Sequence, residues 1–237
     1  MQSVIHKADT RGHADHGWLD THHTFSFAGY YNPERMHFGV LRVLNDDIID
    51  GGTGFGKHPH DNMEIISIPL KGALEHQDSM GNTHVIKEND IQVMSAGTGV
   101  AHSEKNGGSG ETNFLQIWVF PNKKNVEPRY DQKTFSPDQK KNKLLNVLSP
   151  DKSDDTVWIH QDAWFHLGNL EKGFSTSYSI QKEGNGAYFF ILEGEVKIGD
   201  QILGKRDGIG IWETDSIDIE ASQDAEVLVM DVPMHLN

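Results

Sequence analysis

The sequence predicts an all-β protein built from two similar halves in tandem, and three observations carry this expectation. Short apolar or alternating runs recur along the 237 residues, separated by Gly, Asn and Asp clusters, which is the pattern of a sandwich or barrel. Helix signals are poor throughout. The cadence of strand, glycine turn and strand occurs twice: Pro69-Leu70-Lys71-Gly72-Ala73-Leu74 is echoed by Ile191-Leu192-Glu193-Gly194-Glu195-Val196. A chain of this length can bury one large or two small cores.

The elements follow in order. In the first half, strands are expected at 38–44, 64–70, 90–94 and 114–120. In the second they are expected at 144–148, 175–181, 187–192, 195–198, 208–212, 216–220 and 227–232. Turn chemistry lies between them, as in Asn45-Asp46-Asp47, Met80-Gly81-Asn82, Asn106-Gly107-Gly108 and Glu183-Gly184-Asn185-Gly186. Pro69 lacks a backbone donor, so it belongs at an edge or a bulge. The best helix start is Ser136-Pro137-Asp138, with Ser136 as N-cap and Pro137 at the first helical position. It falls in the polar stretch 122–142, which reads as the connection between halves, giving domains of 1–130 and 131–237.

Composition narrows the function. With 35 acidic against 21 basic residues, the formal charge is −14, a field that repels nucleic-acid backbones and anionic membranes. The longest apolar runs are strand-sized, so no bilayer span is expected. The N-terminal stretch lacks an apolar core of signal-peptide length, and a cytoplasmic protein is the expectation. The absence of cysteine excludes thiolate ligands and a cysteine nucleophile, leaving nitrogen and oxygen as donors for any metal.

Two strand-spaced pairs then stand out: His58-Pro59-His60 and His102-Ser103-Glu104. In a strand, side chains i and i+2 share a face, so each pair offers two donors in one direction. Side by side, the two strands would surround one point with three imidazoles and a carboxylate, a set suited to a divalent first-row metal. A solvated or core role explains a single histidine well but two such pairs poorly. Glu64, four residues after His60, competes with Glu104 for the fourth position. Spacing favours Glu104, which leaves Glu64 to orient an imidazole from behind.

Other histidines read as structural. His13, His16, His22 and His23 lack the i, i+2 spacing and sit among Asp and Gly, so packing of an N-terminal arm is expected. His76 and His84 flank a hairpin and are expected at a turn or rim. No histidine occurs between His166 and His235, and the offsets from Gly194 that match His58 and His60 ahead of Gly72 fall on Ile180 and Lys182. A duplicated unit that lost its metal would look like this. Gln116, polar within an apolar strand, is expected to meet a buried partner or to point into a pocket.

The motif set Gly52 to Glu64 with Gly97 to Glu104 resembles the two signature motifs of the cupin superfamily, and within it the pirins. His23-Thr24-Phe25-Ser26-Phe27 and Gly72-Ala73-Leu74-Glu75-His76-Gln77-Asp78-Ser79 carry the same resemblance. It is close from about Arg11 to Pro121 and only architectural beyond. It implies a bicupin of two jelly-roll-like β-barrels, the first holding one metal and the second degenerate. It also implies a ligand set of His58, His60, His102 and Glu104, matching the pirin carboxylate position. Gly97 stands where many cupins have proline.

The implied activity is dioxygenation of a flavonol such as quercetin with O₂, releasing carbon monoxide, with Glu104 accepting the 3-hydroxyl proton. Fe(II) is the favoured metal, and Mn, Co, Ni, Cu or Zn suit the same donors. Two other readings accompany it: a metal-dependent regulatory module that docks on a protein partner, and an isomerisation in which the metal is only a Lewis acid.

Overall fold

In the computed structural model, which describes residues 1–236, the chain forms two seven-stranded and two four-stranded sheets, one of each size in either half. In the first half the larger sheet runs in the order Arg129–Thr134, Asp90–Ser95, Glu64–Lys71, Thr112–Val119, Leu41–Ile49, Leu19–His23, Gly12–Asp15. The smaller runs Gly54–His60, Val100–Lys105, Ala73–Asp78, Thr83–Lys87. Each half is therefore a jelly-roll-like pair of sheets, and the chain is a bicupin.

Alternation along the strands decides which surface each side chain meets. Leu44, Ile117, Ile66 and Val93 lie opposite one another across four neighbouring strands. They face the second half, in one apolar core shared with Phe165, Tyr188 and Met230. Full burial of such side chains contributes roughly 1.5–3 kcal/mol each, so the halves are joined by a core and not by a surface contact. One register step away, Asn45, Gln116, Ser67 and Gln92 lie opposite one another and face the interior of the first half. That interior holds two small apolar clusters, one around Leu74 and Phe114 and the other around Ile65 and Met94. The second half's interior is a single apolar cluster that includes Phe189, Ile209 and Val227. The polarity of the first interior is what makes room for chemistry.

Several expectations meet a different chain path. Asn45-Asp46-Asp47, read as a turn, lies within the Leu41–Ile49 strand. Asn45 and Asp47 face the polar interior, while Asp46 turns the other way. There it accepts hydrogen bonds from Arg206 Nε (2.7 Å) in the second half and from Asn113 (2.8 Å). Partners supplied by tertiary contact thus replace the solvent a turn would have given. The polar stretch 122–142 contributes Arg129–Thr134 as an edge strand of the first sheet, followed by a single helical turn, Pro137–Lys140. The Ser136 amide donates to Gln139 Oε1 (2.8 Å) there, as its position predicts. Trp164–Leu170 is a strand that its unpatterned sequence hid. Pro69 sits beside a bulge, beyond the last pairing with Asp90–Ser95.

The chain's beginning crosses between halves. Gln2–His6 pairs with Gly208–Trp212 at the edge of the second large sheet, whereas Gly12–Asp15 closes the edge of the first. Lys7 pairs with Asp207, whose other oxygen accepts the Ala8 amide (2.9 Å). Among the described residues, no helix is long and apolar enough to cross a membrane.

Candidate metal centre

The Gly54–His60 and Val100–Lys105 strands are antiparallel neighbours with His58 opposite His102 and His60 opposite Val100. This places the three imidazoles in a ring, with centroids 4.4 Å apart for His58 and His102, 4.9 Å for His58 and His60, and 5.0 Å for His60 and His102. One nitrogen from each lies within 4.8 Å of the others. His58 Nδ1 donates to the Gly56 carbonyl (2.8 Å), which leaves Nε2 as the lone-pair nitrogen. His60 Nε2 and both ring nitrogens of His102 are buried without a hydrogen-bond partner. Burial, reinforced by the neighbouring imidazoles, lowers His60 to about 4 and His102 to about 2, so both rings are neutral at physiological pH.

A bulge between His102 and Glu104 shifts the register of their strand against Gly54–His60, yet both side chains stay on the buried face. Glu104 is completely buried. Its Oε1 accepts from Ser67 Oγ (2.8 Å), its Oε2 has no partner, and burial raises its carboxyl above the usual range. The oxygen of Glu104 falls within 4.8 Å of donor atoms of His102 and His76, a second triplet that shares His102 with the first.

His76 corrects an expectation. It is fully buried and lies directly opposite Glu104, not at a turn or rim. Its Nε2 donates to Asp78 Oδ2 (3.1 Å), leaving Nδ1 as an unpaired acceptor toward Glu104 and His102. The i, i+2 rule that singled out His102 and Glu104 applies equally to His76-Gln77-Asp78 and would have found it. Glu64 is the converse case. It shares a strand face with Ile66 and so points away from Ser67. Its carboxylate accepts from Ser95 Oγ (2.8 Å) and the His160 amide (3.2 Å), and neither bond involves an imidazole of the site.

A cavity of about 650 Å³ opens beside the imidazoles. His58 and His60 form one wall, Phe27, Phe55 and Trp118 supply apolar surface, and Gln116 reaches the cavity as one of its two expected roles allowed. The N-terminal arm pairs as strands, and His16 and His23 also reach the cavity. His13 stacks on His22 (4.5 Å) across the strand pair, and both reach Asp20 (3.1 and 3.4 Å); Asp20 and His22 are an i, i+2 pair, and only cross-strand register adds His13. His84 stacks on Tyr130 at 4.7 Å. Asn106 holds its turn, donating to the carbonyls of Ile49 and Gly110 and accepting the Gly108 amide. Gly97 has φ +49°, a conformation closed to proline, and an added Cβ would stand 2.0 Å from the Val126 carbonyl. In the second half His166 is buried, with its ring 5.1 Å from Tyr178.

The imidazoles of His58, His60 and His102 fit a divalent metal, with several of their nitrogens buried without any partner, while Glu104 offers its oxygen beside His102 and His76 and outside the close grouping with His58 and His60.

Known proteins agree with this architecture. The Pirin family model matches residues 4–119, and the model for the quercetinase C-terminal cupin domain matches 146–232. The chain is 45% identical over 230 residues to a quercetin 2,3-dioxygenase of Escherichia coli K12, covering 97% of this chain and 98% of that one. A pirin-like protein of Caulobacter vibrioides is 40% identical, covering 94% and 96%. The crystal structure of the Escherichia coli pirin YhhW in complex with nickel(II) superimposes with a TM-score of 0.93 at 42% identity, covering 98% of this chain and 99% of that one. The shared fold, the match along nearly the whole chain and the two family models together place this chain in the pirin family of the cupin superfamily.

Proposed function

We propose that the chain is a metal-dependent dioxygenase that opens the central ring of a flavonol such as quercetin. One observation carries this reading: His58 and His60 stand at the wall of an aromatic-lined cavity, with the partnerless imidazole of His102 and the buried carboxyl of Glu104 behind them. His58, His60, His102 and Glu104 would hold the metal, Fe(II) by preference, with Mn, Co, Ni, Cu or Zn accepted by the same donors. When bound, the ion supplies a Lewis-acidic centre for the substrate's oxygens and a route for electrons between the flavonol and O₂.

The chain's own groups do the rest. Phe27, Phe55 and Trp118 offer faces to a flat aromatic ligand and exclude water from it. The Gly56 carbonyl keeps His58 in the tautomer whose Nε2 is free. Ser67 holds Oε1 of Glu104, so the unpaired Oε2 is the atom that takes the 3-hydroxyl proton. Asp78 braces His76 beside it. Overall, flavonol and O₂ give a depside ester and carbon monoxide, with all atoms accounted for.

The test is aerobic incubation of metal-loaded protein with quercetin, following loss of flavonol absorbance and release of carbon monoxide. A flavone without the 3-hydroxyl should be untouched, because the group that must ionise is missing. Without O₂ the spectrum should shift but not bleach. If quercetin neither shifts nor bleaches with any of the six metals, the dioxygenase reading falls and a regulatory protein-binding role takes its place.

A further inference from the structure

The row of polar side chains across the first large sheet is longer than a metal centre requires. It begins at His23, continues through Asn45, Gln116 and Ser67, and ends at Gln92, each directly opposite the next in strand register. All five are at least nine-tenths buried. Only Ser67 bonds the candidate ligand Glu104. At the other end, His23, Asn45 and Gln116 line the 650 Å³ cavity, joined by Thr21 and Asp47 one step along the same strands. Thr21 Oγ1 donates to Asp47 Oδ1, but His23 Nδ1 and Asn45 Oδ1 have no partner. Leaving such groups buried and unpaired costs about 1–3 kcal/mol each, so a stretch of this kind in an otherwise apolar wall is expected to be completed by something bound.

We propose that Asn45, His23 and Gln116, with the Thr21–Asp47 pair, form a second recognition subsite that takes the phenolic hydroxyls of a flavonol remote from its metal-binding oxygens. This inference rests on the flavonol reading of the same cavity. A phenol is donor and acceptor in one group, which matches a row offering both. An aromatic body against Phe27, Phe55 and Trp118 would then be anchored at both ends, one at the imidazoles and one at the polar row. The chain would select hydroxylated flavonols over bare ones, since a site built to hydrogen-bond a hydroxyl penalises the analogue lacking it.

The experiment compares quercetin with 3-hydroxyflavone, which keeps the 3-hydroxyl and 4-carbonyl but lacks every other hydroxyl. Dissociation constants are measured anaerobically by absorbance titration of metal-loaded wild type, Asn45→Leu and Gln116→Leu, with metal content and melting temperature checked for each. Two variants are used so that one failing to fold still leaves the other. Wild type should bind quercetin at least about tenfold more tightly than 3-hydroxyflavone, and the ratio should fall toward one in a folded, metal-replete variant. Equal binding of both flavonols by wild type, or a ratio the variants do not change, overturns the subsite and leaves the flavonol reading standing. Binding of neither flavonol by metal-loaded wild type overturns that reading and the subsite with it.

Discussion

Asp47→Asn isolates the cost of a buried carboxyl in the cavity wall. Asp47 is 2% exposed, with Thr21 as its hydroxyl donor and Asp46 and Glu104 as like-charged neighbours. Burial is the largest cause that pushes its carboxyl from 3.8 up to about 7. Between those values the folded protein keeps a proton that the unfolded chain has released, so raising the pH favours unfolding. The penalty is absent below pH 4 and complete above pH 7, with a ceiling of roughly 4 kcal/mol. Asparagine keeps the shape and the acceptor for Thr21 but has no charge to bury. The variant should therefore match wild type near pH 4 and exceed it at pH 8, by up to on the order of 8–16 °C in melting temperature. The assay is thermal unfolding of both metal-free proteins from pH 4 to 8, read as a difference so that the other titrating groups cancel. A difference that stays constant across this range would refute the reasoning.

Three further predictions follow from particular contacts. Glu104→Gln should retain more metal than His60→Ala by elemental analysis, yet turn over quercetin more slowly than its metal content explains, because an amide oxygen can ligate but cannot take up a proton. A full-rate Glu104→Gln protein would remove the base assignment. Arg206→Leu should destabilise by about 1.5–3 kcal/mol in denaturant titration, since it removes the 2.7 Å charged hydrogen bond to Asp46 while Asn113 (2.8 Å) and the buried Arg11 (3.7 Å) still face that carboxylate, and adding Asp46→Leu should deepen the loss, because Arg11 then has no carboxylate beside it. Gly97→Ala should cost about 1–3 kcal/mol by the same measurement, given the positive φ and the Val126 carbonyl at 2.0 Å from the new Cβ.

What could be read from the chain without its structure depends on local spacing. Period-two alternation and glycine turns announce an all-β chain of two similar halves, because strand geometry alone imposes that pattern, and the motif resemblance adds the bicupin. The pairing of His58 with His60 and of His102 with Glu104 is legible for the same reason, as is the absence of histidine between His166 and His235. Tertiary structure decided what no single strand can state. Asn45-Asp46-Asp47 has the composition of a turn and lies in a strand where Arg206, Arg11 and Asn113, all distant along the chain, meet Asp46 on one face while a polar cavity receives the other. Glu64 and Ser67 differ by an odd number of residues, so the sheet sends one to the second half and the other to Glu104. His76 becomes a site residue because strand register sets it opposite Glu104, and His13 meets His22 by the same cross-strand logic. Spacing within a strand is a property of the backbone and is written in the sequence. Which strands lie side by side, and in what register, is settled only when the apolar faces of both halves find one common core.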